Sequence, residues 1–375
     1  MAAVLALKAP GPTPKPARVQ GVDVARGIAS VLMVQGHAFD AWASDDARRT
    51  AWYAIESAFL QTLALPAFLV LAGASLALRV EAAEAKGEPA GAVRRAVVSR
   101  ALKIVLVGYG LNAFSALIDG ADGVETWLRA DVLHVIGLSL LALGLAIRGE
   151  HRVRTELLER SALALAIVPI AICPWLSRAA RGIEGPAGWA LGLFIDVPSI
   201  TRMPWVPLVS WAAIGFLVAR GMIASNREAR SPAGAPPAIL SALLIGSLAV
   251  AGVGTWAQEA IVEAIGGTLD RTHVAVIANA LQLAGRGVLV LALGAVIAPR
   301  LPERARRIVV LMGQGSLWAY VFHVPLCYGR FAEITGLRNA LSIEACALAA
   351  VVLIAASWGA AAAKRGLETL RARRG

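Results

Sequence analysis

Five polar residues lie within one apolar stretch near the N-terminus: Asp23, Arg26, Ser30, His37 and Asp40. At about 100° per residue, an α-helix brings all five to one face. Arg26 and His37 are eleven residues apart, which separates them by roughly 16 Å along the helix axis. This spacing predicts the wall of a polar cavity that accommodates a long amphiphilic molecule, with a cation at one depth and a titratable imidazole at another. The alternative interpretation is two boundary pairs, Asp23 with Arg26 and His37 with Asp40, that have no catalytic role.

A second polar group occurs in the segment GQGSLWAYVFHVPL. Ser316, Tyr320 and His323 fall within about 60° of one another on a helix, so they are predicted to face the interior. His134 begins another apolar run, and we expect it at the same depth as His37 and His323. For each histidine alone, a packing role with one hydrogen-bonded neighbour is the alternative.

Two further polar residues lie inside apolar runs. Arg286 is in the middle of its run, and a charge at that depth needs a partner. The candidates are the carboxylates of Asp23, Asp40 and Glu344, or an anionic ligand. Asn112 is predicted to form a hydrogen bond between helices.

The elements that must position these residues are membrane helices. The chain has 375 residues, of which 58% are hydrophobic and 16% charged, and its mean hydropathy is +0.66. This composition predicts an all-α, polytopic membrane bundle of about ten transmembrane helices. The predicted spans are 22–40, 58–78, 101–118, 131–147, 161–177, 204–219, 238–258, 274–298, 308–327 and 341–362.

The positive charges lie between the apolar runs, which argues against nucleic-acid binding despite a net charge of +11. Alternate loops hold 25 and 9 Lys and Arg residues, so both termini are predicted to be cytoplasmic. The predicted organisation is a disordered cytoplasmic tail at 1–21, a transmembrane domain at 22–362 and a basic cytoplasmic tail at 363–375. Segment 186–203 is apolar but broken, and is predicted to be re-entrant or interfacial. The three cysteines have no CxxC spacing, so neither a disulfide framework nor a metal site is predicted.

Several segments resemble one family. RVQGVDVARGIASVLMVQGH is similar to the opening of the transmembrane acyltransferase superfamily, and Arg26 and His37 match its arrangement of Arg, ten residues, His. That superfamily includes the acyltransferase-3 membrane proteins and the catalytic domain of heparan-alpha-glucosaminide N-acetyltransferase. Further similar segments follow in the family's order, and the set favours the heparan-acetyltransferase branch: LPAFLVLAGASLAL at 65–78, ADVLHVIGLSLL at 130–141, MPWVPLVSWAAIGFLVAR at 203–220 and GSLWAYVFHVPL at 315–326.

The resemblance implies an acyltransferase in a bacterial inner membrane. It would move an acetyl or other short acyl group from cytoplasmic acyl-CoA to a sugar or other cell-envelope acceptor. No bound cofactor is implied, because acetyl-CoA or another acyl-CoA is the co-substrate. The implied partners are membrane lipid, acyl-CoA and a glycan or small-molecule acceptor, and the oligomeric state is open.

The same resemblance puts His37 in the catalytic position, as general base or as the residue that carries the acyl group. Asp40 would orient its ring. Tyr320, Ser316 or Arg286 would donate a hydrogen bond to the developing oxyanion. The CoA phosphates would bind to cations at the cytoplasmic mouth: Arg26, Arg94, Arg95, Arg100 and Lys103.

Two other classes of protein share part of this pattern. A secondary transporter of a small polar solute also has about ten helices and intramembrane charge, and segment 186–203 is compatible with its broken helix. No internal repeat typical of transporters is visible in the sequence. A non-catalytic scaffold or sensor is the third class, although no soluble domain is predicted to relay a signal.

Overall fold

The computed structural model describes residues 17–119, 127–197, 201–228, 237–265 and 271–372. Every regular element within these ranges is helical, which confirms the all-α prediction. The helices are α1 (Ala17–Trp42), α2 (Asp45–Arg48), α3 (Ala51–Ile55), α4 (Gln61–Lys86), α5 (Ala90–Asp119), α6 (Val132–Leu145), α7 (Thr155–Ala179), α8 (Gly185–Gly192), α9 (Trp205–Glu228), α10 (Pro237–Ile265), α11 (Arg271–Ile297), α12 (Glu303–Gln314), α13 (Ser316–Cys327), α14 (Arg330–Ile334) and α15 (Ile343–Ala372).

Each of the ten predicted spans coincides with a helix or a helix pair, so the polytopic bundle is confirmed. By length and composition, six described helices can cross a membrane, and the bent pair α12–α13 is a seventh if it forms one broken span rather than a re-entrant loop. Helix α6 has 14 residues, and the described apolar run in α10 covers only Ile239–Ala251. Helix α1 is long enough but carries the polar stripe. Ten crossings therefore remain a prediction. The six helices are Ala51–Lys86, Ala90–Ile118, Thr155–Ala179, Trp205–Ser225, Val274–Arg300 and Ile343–Arg371.

The predicted span 308–327 is not one straight helix. Helices α12 and α13 meet at Gly315 with a bend of 72°. A Cβ atom at Gly315 would lie 2.4 Å from the Cβ of Ala361 in α15. The absence of a side chain therefore allows the bend to pack directly against α15.

Two predicted boundaries differ from the structure, and the broken segment 186–203 is described only in part. Helix α1 begins at Ala17, inside the predicted tail, of which residues 1–16 lie outside the described part. Helix α15 continues to Ala372 through most of the predicted basic tail, helped by an ion pair of 3.2 Å between Lys364 and Glu368 one turn apart. In the broken segment 186–203, the short helix α8 ends at Gly192, and residues 198–200 lie outside the described part.

Glycines set the closest helix crossings. A Cβ at Gly73 of α4 would lie 1.8 Å from the carbonyl oxygen of Ala212 in α9, and one at Gly313 of α12 would lie 2.1 Å from the carbonyl oxygen of Asp23 in α1. Small residues allow this backbone approach between membrane helices. Helix α1 packs against α4, α11, α12, α13 and α15. Within the polar stripe of α1, Asp23 and Ser30 are buried, Arg26 and His37 are partly buried, and Asp40 is exposed at the end of the helix.

Candidate active site

The Arg26 end of α1 is held by a polar network. Arg26 pairs with Asp23 at 3.1 Å, and its second terminal nitrogen donates to the hydroxyl of Ser75 on α4 at 2.6 Å. The side-chain amide of Gln314 donates to the other oxygen of Asp23 at 2.9 Å. Ser30 was predicted to line the pocket. Its hydroxyl instead donates to the backbone carbonyl of Arg26, one turn earlier in α1, at 2.8 Å.

Two histidines meet at the centre of the site. Nδ1 of His37 lies 2.8 Å from Nε2 of His323, and Nδ1 of His323 lies 2.6 Å from the carbonyl oxygen of Ala319. A carbonyl only accepts, so Nδ1 of His323 carries a proton, and Nε2 of the neutral ring is an acceptor. Nδ1 of His37 must then donate to it. The lone pair of His37 is left on Nε2, the atom that a base or nucleophile needs.

Two tyrosines also contact the His37 ring. The Tyr320 ring centroid lies 6.3 Å from that of His37, and the Tyr328 centroid lies 5.5 Å from it. The Tyr320 hydroxyl donates to Asp131 at 3.1 Å. The Tyr328 hydroxyl donates to Asp40 at 2.7 Å. Burial and the neighbouring Asp40 carboxylate raise the pKa of Tyr328 above its ordinary value, so its phenol stays protonated and keeps donating.

His134 is joined to this group only indirectly. Its Nδ1 accepts the backbone N–H of Asp131 at 3.1 Å, which closes the N-terminal capping box of α6. Its ring packs against Tyr109, with centroids 4.2 Å apart. Two of the three histidines thus meet directly, while His134 supports the Asp131 that holds Tyr320.

A cavity of about 580 Å³ runs along the Arg26 side of the site. Its cations are Arg26, Arg79, Arg100, Lys103 and Lys364. Apolar side chains from α4, α5, α6 and α13 form much of its wall, and Ser316 and Tyr320 also line it. Because Tyr320 contacts His37, this basic cavity leads toward the histidine pair. We call it the basic cavity.

The predicted cation cluster is only partly at the basic cavity. Arg100 and Lys103 line it, whereas Arg94 and Arg95 are exposed and are not among its lining residues. The sequence reasoning missed Arg79 and Lys364, which were indistinguishable from ordinary loop and tail charges. It also missed Tyr328, because this residue follows the end of α13 and helical periodicity does not place it.

Arg286 and Asn112 have structural contacts. Arg286 is buried and donates to the carbonyl of Ala58 at 3.0 Å and to the hydroxyl of Thr62. Its guanidinium lies 5.3 Å from the centroid of the Phe59 ring. Residues Glu56–Leu60 form a π-helical turn. Through these contacts Arg286 donates to a carbonyl of that turn, whereas the sequence predicted a donor to the oxyanion. Asn112 donates to the carbonyl of Arg129 at 2.7 Å, so it ties the chain after α5 back to that helix.

Comparison with known families gives a match over the N-terminal part of the chain. The family described as "Heparan-alpha-glucosaminide N-acetyltransferase, catalytic" matches residues 18–251, more than half of the chain. Among curated proteins, none matches. The matched range includes Arg26, His37, Asp40 and His134. It ends before Tyr320, His323 and Tyr328, so the family match does not cover these three residues. Helical periodicity predicted Tyr320 and His323, whereas Tyr328 enters the site from the structure alone.

Proposed function

The chain belongs to the heparan-alpha-glucosaminide N-acetyltransferase catalytic family, and from this premise we propose how it acts. Membership indicates a membrane-embedded acetyltransferase. Our proposal is that the chain transfers an acetyl group from cytoplasmic acetyl-CoA to a sugar or other cell-envelope acceptor, with His37 as the catalytic base. The observation that carries the proposal is the contact of His37 with Tyr320, which lines the basic cavity, together with the lone pair left on Nε2 of His37.

The basic cavity has the chemistry of a CoA site. Arg26, Arg100 and Lys103 supply the charges that phosphates need, and the apolar wall beyond them suits the pantetheine arm. The roughly 16 Å between Arg26 and His37 along α1 is a span that an extended pantetheine can follow. Because Lys and Arg are concentrated in the loops on the Arg26 side, this mouth faces the cytoplasm in our proposal.

The reaction is a direct acyl transfer. Nε2 of His37 takes the proton of the acceptor hydroxyl or amine as the acceptor atom attacks the thioester carbonyl. The carbon–sulfur bond then breaks, and the departing thiolate receives that proton from the imidazolium to give CoA. If His37 were instead acylated on Nε2, the kinetics would be ping-pong, and labelled acetyl would remain on the protein in the absence of an acceptor.

Among the three predicted oxyanion donors, we assign this role to Tyr320. Tyr320 lines the basic cavity and contacts His37. Ser316 lies about one helical turn before Tyr320 along α13, and Arg286 binds the π-helical turn. To donate to the thioester oxygen, the Tyr320 hydroxyl must leave Asp131. We further propose that Asp40 acts through Tyr328, which packs against the His37 ring, rather than by touching the imidazole.

The test uses purified full-length protein in lipid nanodiscs, with acetyl-CoA labelled in the acetyl group. Wild type should release CoA and label a glycan or lipid fraction of the cell envelope. His37→Ala should lose at least 100-fold of this rate, since a positioned general base contributes about 10²- to 10⁴-fold. The matched control is His151→Ala, because His151 is exposed on a loop. A His37→Ala protein with wild-type transfer would refute the assignment. Solute uptake into proteoliposomes without acetylation would favour the transporter.

A further inference from the structure

A second cavity lies at the Asp40 end of α1. Its volume is also about 580 Å³, and its lining includes Asp40, Tyr328, Arg330, Glu333, Arg338 and Asn339. We call it the outer cavity. Apart from Asp40 and Ala41, the residues that line it follow the range matched by the family, so it is a feature of this chain's C-terminal third.

The frame of the outer cavity is preformed. The loop after α14 is tied to the end of α1 by backbone bonds from Asn339 to Ala41 at 3.2 Å and from Leu341 to Trp42 at 2.8 Å. Arg48 donates to the carbonyl of Asp40 and to the side-chain oxygen of Asn339 at 3.2 Å. Asn339 has a φ of 50°, a conformation that asparagine tolerates better than most residues. These bonds fix the loop after α14 against the end of α1.

Tyr328 separates the outer cavity from the catalytic histidine. It lines this cavity, and its ring packs edge-on against His37 with centroids 5.5 Å apart. Tyr320 makes the corresponding contact from the basic cavity. His37 therefore contacts one tyrosine from each cavity. A donor in the basic cavity and a second substrate in the outer cavity would meet at the same imidazole.

The charges of the outer cavity indicate what it binds. Two guanidinium groups, Arg330 and Arg338, are balanced by two carboxylates, Asp40 and Glu333, so the wall has no net charge. Glu333 pairs with Arg338, and Asp40 accepts from Tyr328. A charged ligand would gain no net attraction here, while an apolar one would shield these polar groups from water and offer no hydrogen bonds in return. A neutral molecule with several hydroxyl groups can donate to the carboxylates and accept from the guanidinium groups.

We propose that the outer cavity is the acceptor site and that it binds a neutral, hydroxyl-rich unit such as a glycosyl ring, which reaches His37 past Tyr328. This inference rests on the proposed acetyl transfer, and it names the site and chemistry of the second substrate. Arg330, Glu333 and Arg338 then govern the acceptor alone, because the donor occupies the basic cavity.

The experiment measures binding and transfer separately. Methyl glucoside is the neutral probe, methyl glucuronate the anionic one and hexanol the apolar one. Full-length wild type, Glu333→Gln and Arg338→Gln are compared in nanodiscs. Glu333 and Arg338 are more than half exposed, so a surface pair of this kind adds little to folding. The matched control is Arg49→Gln, since Arg49 forms an exposed pair with Asp46 and does not line the cavity.

We expect methyl glucoside to bind wild type in calorimetry and both cavity variants to weaken it about tenfold, the effect of one hydrogen bond to a charged group. The KM for methyl glucoside should rise similarly, while the KM for acetyl-CoA and the behaviour of Arg49→Gln stay unchanged. Tighter binding of methyl glucuronate or hexanol would overturn the proposed chemistry. Methyl glucoside binding that both variants retain would overturn the site. Variant-sensitive binding without acetylation would uphold the outer cavity while refuting the acetyl transfer.

Discussion

The hydrogen bond between His37 and His323 can be tested by His323→Phe. Phenylalanine keeps an aromatic ring in contact with His37 and Tyr320 but removes the acceptor for Nδ1–H of His37. In the native arrangement the Ala319 carbonyl fixes the His323 proton on Nδ1, and His323 in turn fixes the His37 proton on Nδ1. The substitution breaks this relay and leaves the His37 tautomer undetermined.

The expected loss follows from the hydrogen bond that is removed. Leaving a buried donor without a partner costs about 1–3 kcal/mol, which corresponds to roughly a 5- to 150-fold decrease in kcat. The KM for acetyl-CoA should stay unchanged, because His323 does not line the basic cavity. His323→Gln should recover part of the rate, since its side-chain oxygen can accept from Nδ1 of His37.

The assay is acetyl-CoA turnover by purified protein in nanodiscs, with thermal unfolding measured for each variant. His151→Phe serves as the control for histidine-to-phenylalanine replacement at an exposed position. A role in packing alone would lower the unfolding temperature and give Phe and Gln variants with equal kcat. The reasoning would be refuted if His323→Phe kept the wild-type kcat, or if Gln recovered nothing while folding normally.

Three further predictions test other parts of the site and the fold. Arg26→Gln should raise the KM for acetyl-CoA about tenfold, because one hydrogen bond to a charged group contributes about 1.5–3 kcal/mol. The control is Lys86→Gln, since Lys86 is exposed on the same side and its loss should leave this KM unchanged. Equal KM values for the two variants in steady-state kinetics would contradict the phosphate role of Arg26. Tyr328→Phe removes the bond to Asp40 and should alter the kinetics of the second substrate while acetyl-CoA binding, measured by calorimetry, is kept; weakened acetyl-CoA binding would place Tyr328 at the donor instead. Gly73→Val would press a side chain into the Ala212 carbonyl and should destabilise the protein by about 1–3 kcal/mol. A Cβ atom at Gly110 meets no atom within 4 Å, so Gly110→Val is the matched control. Equal unfolding temperatures of the two variants would contradict the tight α4–α9 crossing.

Helical periodicity predicted the part of the site that lies on regular helix. His37 and Asp40 share a face of α1, and Tyr320 and His323 share a face of α13, because each pair is set by the fixed rotation per residue. Periodicity gives no information beyond a helix end. For that reason Tyr328, which immediately follows α13, could not be assigned to the site from the sequence.

Long-range contacts were not predictable for the same physical reason. Arg286 was expected to pair with a carboxylate or an anionic ligand, but its contacts given above are with α3–α4. The π-helical turn at Glu56–Leu60 disrupts the regular backbone hydrogen-bonding pattern. The amino-acid composition reveals neither this turn nor the Ala58 carbonyl that accepts from Arg286. Arg79 and Lys364 likewise resemble solvated charges until the fold brings α4 and α15 to the mouth of the basic cavity.

The bend at Gly315 explains how one chain places two histidines in contact. Three hydrogen-bonded pairs join α1 to the α12–α13 segment, and residue numbers rise together in both partners. The pairs are Asp23 with Gln314, His37 with His323 and Asp40 with Tyr328. Helix α13 therefore runs in the same direction as α1, whereas α12 crosses α1 at Gly313. His323 is eight residues, or about 12 Å, beyond Gly315. Without the 72° bend, a straight continuation of α12 would displace His323 by about 14 Å on this rise per residue. The geometry of the His37–His323 pair thus depends on a glycine that takes no part in the chemistry.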